Sequence, residues 1–415
     1  MTLNNVWGRY PMASNEQQLS LFKQGLNWAL PSLLSDNSAP GMPLYDRSFL
    51  VAIIGLMCFG FVMVMSASMP EATKLTGDPF YFMYRHVLYL VGCVVIAFFV
   101  LKFDVSYWEK NSGMLMLGVL VLLIAVLFIG TSVNGARRWL SIGPIRIQVA
   151  EMAKFVFIVY MAGYLVRRHG ELRENRKGFI KPIGVYGLFA LLILLQPDLG
   201  TVVVLFVCTV SLLFLAGARI IDFMALILLG VITFVLLVLF EPYRMRRVTS
   251  FMDPWEDPFG SGYQLTQSLM AYGRGDWFGQ GLGNSIQKLA YLPEAHTDFI
   301  FAVIGEELGF VGIIMVLLAL FFVAIRAIRL GNLCLKMQRP FESYVAYGVG
   351  IWVCFQTVVN VGASIGMLPT KGLTLPFISY GGSSLWVMTA AVMLLVRIDY
   401  ERRLSLVQAV QGRTS

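Results

Sequence analysis

The chain has 415 residues, of which 57% are hydrophobic and 13% charged, where a soluble domain carries roughly 25% charged residues. With a mean hydropathy of +0.72, this excludes an ordinary soluble protein. The net charge of +8 comes from Lys and Arg in short loops between apolar runs, which form no continuous basic face for nucleic acid.

The first 47 residues are polar and rich in Pro, Ser and Asn, with no apolar core behind a basic start, so the reading is an uncleaved cytoplasmic tail. Apolar runs then follow at about 48–67, 86–101, 113–130, 149–166, 183–196, 200–216, 222–240, 299–325, 343–364 and 383–397. Each is near the roughly 20 residues a helix needs to cross a bilayer, and none alternates as barrel strands do. The expected fold is an all-α polytopic membrane protein, a bundle of about ten transmembrane helices. Seven helices fill 48–240, a large extracytoplasmic loop 241–298, three helices 299–400 and a short tail 401–415. Placing both termini in the cytoplasm puts Arg167, Arg168, Arg173, Arg176, Lys177 and Lys181, then Arg326, Arg329, Lys336 and Arg339, then Arg397, Arg402 and Arg403 on the inside, as the positive-inside rule asks. The five cysteines share no metal-type spacing.

Some segments do not fit a plain bundle. "GARRWLSIGPIRIQVAEMAK" puts Arg137, Arg138 and Arg146 outside, where topology depletes cations. Just within the span that follows, Lys154 has Glu151 three residues before it. Lys154 reads either as a local ion pair or as a cation that, with Arg146, neutralises an anionic headgroup. In "LLQPDLGTVVV", Gln196 and Asp198 bracket a proline between spans. The loop 241–298 is long, and its glycines, prolines and aromatics point to function rather than disorder.

At the loop's end stands "PEAHTDFIFAVIGEELG". Asp298 reads either as a helix N-cap or as a carboxylate half in low dielectric, whose raised pKa suits it to accept a proton. His296 is a second titratable group beside it. Glu306 and Glu307 fall inside the apolar run, where a carboxylate is expensive. At least one of them should turn inward and pair with a cation, for packing or for catalysis. "MLPTKGLTLPFISYGGSSLWVM" interrupts the last two spans with two prolines and a Gly-Gly pair. Irregular backbone at that depth must be buried in protein or line a wet cavity, so Lys371, Ser379, Ser383 and Ser384 are expected to face one. No G-x-x-x-x-G-K-[ST] appears, so any reaction must start from an already activated substrate.

"QPDLGTVVVLF", "GYQLTQSLMAYGRG", "PEAHTDFIFAVIGEELG" and "LPTKGLTLPFISYGGSS", in this order between Tyr45 and Glu401, resemble the SEDS (shape, elongation, division and sporulation) membrane proteins. "WEDPFGSGYQLTQSL" favours the division type over the elongation type. One departure is Val149, where the family usually has proline after the glutamine. The resemblance implies a SEDS fold in the bacterial inner membrane at the division septum, and an inverting peptidoglycan glycosyltransferase that polymerises lipid II, an undecaprenyl-pyrophosphate-linked disaccharide pentapeptide. It implies Asp298 as the catalytic carboxylate. Arg146, Lys154 and Lys371, with Glu151, Ser379 and Ser383, would form the substrate and pyrophosphate set; Glu306, Glu307, His296, Gln196 and Asp198 are kept as structural or supporting groups. No cofactor is implied beyond a divalent cation as an option, and no metal ligands are named. The implied partners are a class B penicillin-binding transpeptidase and small bitopic division regulators. Two rival readings fit the same motifs, a lipid II flippase and a non-catalytic divisome scaffold.

Overall fold

The computed structural model describes residues 44–414, apart from 134–135, 144, 175, 290 and 370–371. It divides into two units: Asp46–Ile398, which holds every site discussed below, and a second whose described residues include 399–414. Within the second unit, Asp399 accepts hydrogen bonds from Arg402 Nη2 at 2.7 Å and Arg403 Nε at 2.8 Å.

The helices are α1 (Arg47–Thr76), α2 (Tyr81–Lys102), α3 (Val105–Ile129), α4 (Val149–Arg167), α5 (His169–Glu174), α6 (Arg176–Leu194), α7 (Leu199–Leu215), α8 (Ile220–Leu239), α9 (Pro242–Met252), α10 (Tyr263–Gly275), α11 (Ile300–Lys336), α12 (Pro340–Ser364) and α13 (Gly382–Thr414). Among the described residues, nine helices are long and apolar enough to cross a membrane, and α7 is a shorter apolar tenth. The polytopic helical bundle read from the apolar runs is therefore the observed architecture. Between α3 and α4 the connecting segment folds as an antiparallel sheet, β1 (Thr131–Val133), β2 (Ala136–Ile142) and β3 (Ile145–Gln148), in the order β1-β2-β3. The loop 241–298, read as one connection, contains α9 and α10.

The interior of the bundle is built from its less apolar spans. Most of α4, α12 and α13 is buried, whereas α8 is only 6% buried and presents Leu228, Leu229, Val231 and Ile232 outward. In lipid, apolarity does not drive helices together, so interfaces go to small and polar side chains. Accordingly α12 carries Gly348, Gly350, Gln356, Thr357, Asn360 and Gly362 into its packing against α4, α7 and α11.

α11 is not one straight rod. Gly309 breaks it with φ 68° and ψ −167°, a conformation that glycine reaches without a Cβ penalty. The freed backbone groups are taken by the loop 241–298, since Phe310 N donates to Asp276 O at 2.9 Å and Val311 N to Trp277 O at 3.2 Å. Gln280 N and Gly281 N donate to the carbonyls of Glu306 and Glu307 at 2.9 and 3.0 Å. This close approach needs Gly275, where a methyl group would land on the carbonyl oxygen of Gly305.

Both carboxylates of that half-helix are fully buried, and each is occupied. Glu306 accepts from Arg274 Nη1 at 3.0 Å, Ile286 N at 2.9 Å, Gln287 N at 3.2 Å and the Ser285 hydroxyl. Glu307 accepts from Lys288 Nζ at 2.7 Å and from Ser66 Oγ of α1 at 2.8 Å. The expectation that at least one would meet a cation is met by both.

Two outcomes follow. Gly275→Ala should cost about 1–3 kcal/mol of stability through overpacking, read as a lower unfolding midpoint in detergent. Glu307→Leu should cost about 3–5 kcal/mol, because it strands the Lys288 charge in the interior; adding Lys288→Met to it should recover much of the loss in the same assay.

Candidate active site

Asp298 sits on a tight turn at the N-terminal end of α11. Glu294 takes a left-handed conformation, φ 57°, and its carbonyl accepts from Thr297 N and Phe299 N at 3.1 and 3.2 Å. Its carboxylate accepts the Thr297 hydroxyl at 2.6 Å. The N-cap of α11 is Phe299, without a side-chain cap bond. Of the two readings of Asp298, the helix cap is therefore not the one realised. Its backbone carbonyl is fixed instead, by Asn360 Nδ2 of α12 at 2.9 Å. The carboxylate is left half-buried beside Gly372, where an added methyl would come within 3.3 Å of Oδ2.

Burial pushes the Asp298 carboxyl up to about 7, and the nearby Glu294 and Asp198 carboxylates push the same way. Arg247 of α9 and Arg138 of β2 pull it back toward ionisation. Carboxylates and guanidinium groups from four parts of the chain thus converge electrostatically on one side chain.

The support beneath it comes from α12. Asn360 and Gln356 lie one turn apart and both hold the irregular segment before α13, through Leu373 O at 2.6 Å and Thr374 O at 2.8 Å. Gln356 Oε1 in turn accepts from Trp352 Nε1 at 2.7 Å and Lys154 Nζ at 3.0 Å. Lys154 is fully buried, 2.8 Å from Glu151 and with its ammonium 5.2 Å from the centre of the Trp352 ring. The local ion pair is thus the geometry found, and Lys154 reaches the cleft through Gln356 and Thr374 rather than directly.

Arg146 is different. Its side chain is exposed on β3, and its backbone is tied to α13 by Ser383, whose Oγ donates to Arg146 O at 3.2 Å and accepts from Gln148 N at 2.9 Å. Val149, the departure from the family pattern, begins α4 directly after this contact. Ser379 is turned inward, accepting from Leu375 N at 2.8 Å, and Ser384 shares a 2.8 Å bond with Thr374. Arg138 grips the carbonyls of Gln196 and Pro197 at 2.8 and 2.7 Å. That grip presents Asp198, which caps α7 through Thr201 N at 3.1 Å and also accepts the Thr201 hydroxyl at 2.8 Å. The Gln196 amide turns away and donates to Leu123 O at 3.3 Å. His296 is buried beside Phe82 and Tyr380. Lys371 lies outside the described residues.

Asp298 therefore feels the charges of Asp198, Arg138, Arg247 and Glu294, while Glu306 and Glu307 are bound by Arg274, Ser285 and Lys288 of the loop. The amides Gln356 and Asn360 escaped the sequence reading, although their spacing of four within the apolar run "CFQTVVN" was the available signal. Among the described residues, no three His, Cys, Asp or Glu side chains converge where a metal ion could sit.

The family model FtsW/RodA/SpoVE, described as cell cycle protein, matches residues 47–404. The chain is 73% identical over 402 residues to a protein of Shewanella sediminis named probable peptidoglycan glycosyltransferase FtsW, covering 97% of this chain and 98% of that one. Among solved structures, the fold is similar to a chain from a study titled "Structural coordination of polymerization and crosslinking by a peptidoglycan synthase complex", with TM-score 0.70, 28% identity and coverage of 86% of this chain and 98% of that one. It is also similar to the Rod shape determining protein RodA of Thermus thermophilus, with TM-score 0.65, 28% identity and coverage of 86% and 97%. A match over most of the chain, with the fold to go with it, means that this protein belongs to the FtsW/RodA/SpoVE family of cell cycle proteins, the SEDS proteins that its motifs resemble.

Proposed function

We propose that this protein is an inverting peptidoglycan glycosyltransferase that polymerises lipid II into glycan strands during septal wall synthesis. The observation that carries the assignment to a site is the Asp298 carboxylate, uncapped, half-buried and raised to about 7 at the external end of α11.

In this reading Asp298 accepts the proton of the acceptor sugar's 4-hydroxyl. The oxygen attacks the anomeric carbon of the donor, the bond to the pyrophosphate breaks, and α configuration becomes β. A pyrophosphate leaving group departs as an anion and needs charge neutralisation more than a proton, so one carboxylate suffices where a glycosidase uses two. Arg146 is the exposed cation suited to that task, since a guanidinium matches phosphate oxygens in pairs. Lys371 is a second candidate, one residue before the Gly372 that borders the carboxylate. Lys154 with Glu151 acts behind them, holding Gln356 and through it Thr374; Ser379 and Ser383 shape the same wall.

The protein works as a multi-pass protein of the inner membrane at the septum, both termini cytoplasmic, beside a class B transpeptidase that cross-links the strands and under small bitopic regulators. A flippase would make equal use of a broken helix, but it has no need of a rim carboxylate poised to take a proton.

Asp298→Asn should abolish polymerisation of purified lipid II by the protein with its transpeptidase, at unchanged unfolding temperature; polymer formed at the wild-type rate would sink the assignment. Because the base must be ionised and its pKa is raised, the wild-type rate should climb with pH through about 7 and flatten above it, measured as initial rate between pH 5.5 and 8.5. Asn360→Ala, which frees the Asp298 backbone, should lower turnover by about one to two orders of magnitude in the same assay.

A further inference from the structure

The external half of α1 touches the catalytic turn. Glu71 Oε2 lies 3.3 Å from His296 Nδ1, two residues before Asp298. The imidazole is buried between rings, its centroid 4.7 Å from that of Phe82 on α2 and 5.4 Å from that of Tyr380. The His296 carbonyl accepts from Tyr380 N at 3.0 Å. Three elements thus meet on a residue two positions before Asp298.

The same helix meets the segment again lower down. Ser66, five residues before Glu71, donates to Glu307 at 2.8 Å and accepts from Lys288 Nζ at 2.8 Å. One turn and a half below Ser66, Gly60 leaves no room for a side chain against the backbone of Phe377 and Ile378. α1 therefore braces both flanks of residues 288–307 and the strand of chain that leads to Tyr380. The braced turn includes the left-handed Glu294, a conformation that persists only where its surroundings over-determine it.

We propose that Glu71 and His296 are positioning residues for glycosyl transfer, a carboxylate–imidazole pair that ties the Asp298 turn to α1 and sets the aim of the base. The proposal rests on the reading of Asp298 given above. The pair is charged when the imidazole is protonated; the other titratable or charged groups about it are Lys74 on α1, Arg85 and His86 on α2, Tyr380, and Glu294 and Asp298 on the turn itself. The Glu71 side chain is 46% exposed, so solvent screens its attraction and little stability depends on it. Its effect is expected on geometry, where a small misplacement can cost up to about a hundredfold in rate.

The test uses the full chain with its transpeptidase and four variants, Glu71→Gln, Glu71→Asp, His296→Gln and the double change Glu71→Gln with His296→Gln. Hydrogen exchange at the Thr297 and Phe299 amides, which close the turn on Glu294, is measured beside lipid II polymerisation. Glu71→Gln should speed exchange at both amides and lower kcat about tenfold at unchanged KM and unchanged unfolding temperature. Glu71→Asp should restore most of the rate, and the double variant should be no slower than the worse single change, as coupled residues behave. Wild-type exchange and kcat in Glu71→Gln, or losses that multiply in the double variant, would overturn the proposal while leaving Asp298 as the base. A wild-type complex that makes no polymer would overturn the reading beneath it, and the positioning role with it.

Discussion

The placement of the loop before α11 depends on two adjacent carboxylates that the membrane would otherwise reject. Glu306 and Glu307 are fully buried, and a buried charge is tolerable only when paired and hydrogen-bonded. They obtain those partners by drawing in the loop that carries Arg274, Ser285 and Lys288. The break at Gly309 belongs to the same arrangement, because the backbone groups it frees are taken by residues 276 and 277 of that loop. The result is a short, caged half-helix with Asp298 at its mouth. The costly groups hold the scaffold, and Asp298, the proposed base, is left without a fixed hydrogen bond to its carboxylate among the described residues.

This division separates two kinds of charge. At Glu306, Glu307 and Lys154 the ionised form is matched by near, geometrically satisfied partners. At Asp298 the cations Arg138 and Arg247 act against burial and two neighbouring carboxylates. Burial and like charge outweigh those cations, and the carboxyl is left raised to about 7, where it can exchange its proton near neutral pH.

Much of the fold was legible in the sequence, because apolar runs near twenty residues leave a chain few alternatives in lipid. The break in α11 was not: residues 299–325 read as one span, and only the backbone of Gly309 reveals that two helices meet there. The sheet from Thr131 to Gln148 was hidden too, since its three short strands carry arginines and alternate only weakly. At the site, Asp298 was legible as a candidate because it stands at the edge of a span, but position alone could not separate a cap from a base. The amides Gln356 and Asn360 were passed over because single polar residues in a span are common, and what gives them meaning is the segment 373–374, distant in sequence and lacking regular structure.

The chain order of the buried pairs carries a consequence for biogenesis. Glu151 and Lys154 lie on one helix three residues apart, so α4 can enter the bilayer already neutralised by its own partner. Glu306 and Glu307 have no such neighbour, yet Arg274, Ser285 and Lys288 all precede them in the chain, as does Ser66 on the first span. By the time the ribosome delivers α11 to the translocon, its counter-charges have been made. Insertion of the most expensive span therefore comes after the synthesis of every group that compensates it, and reversing that order by circular permutation would present two bare carboxylates to the membrane.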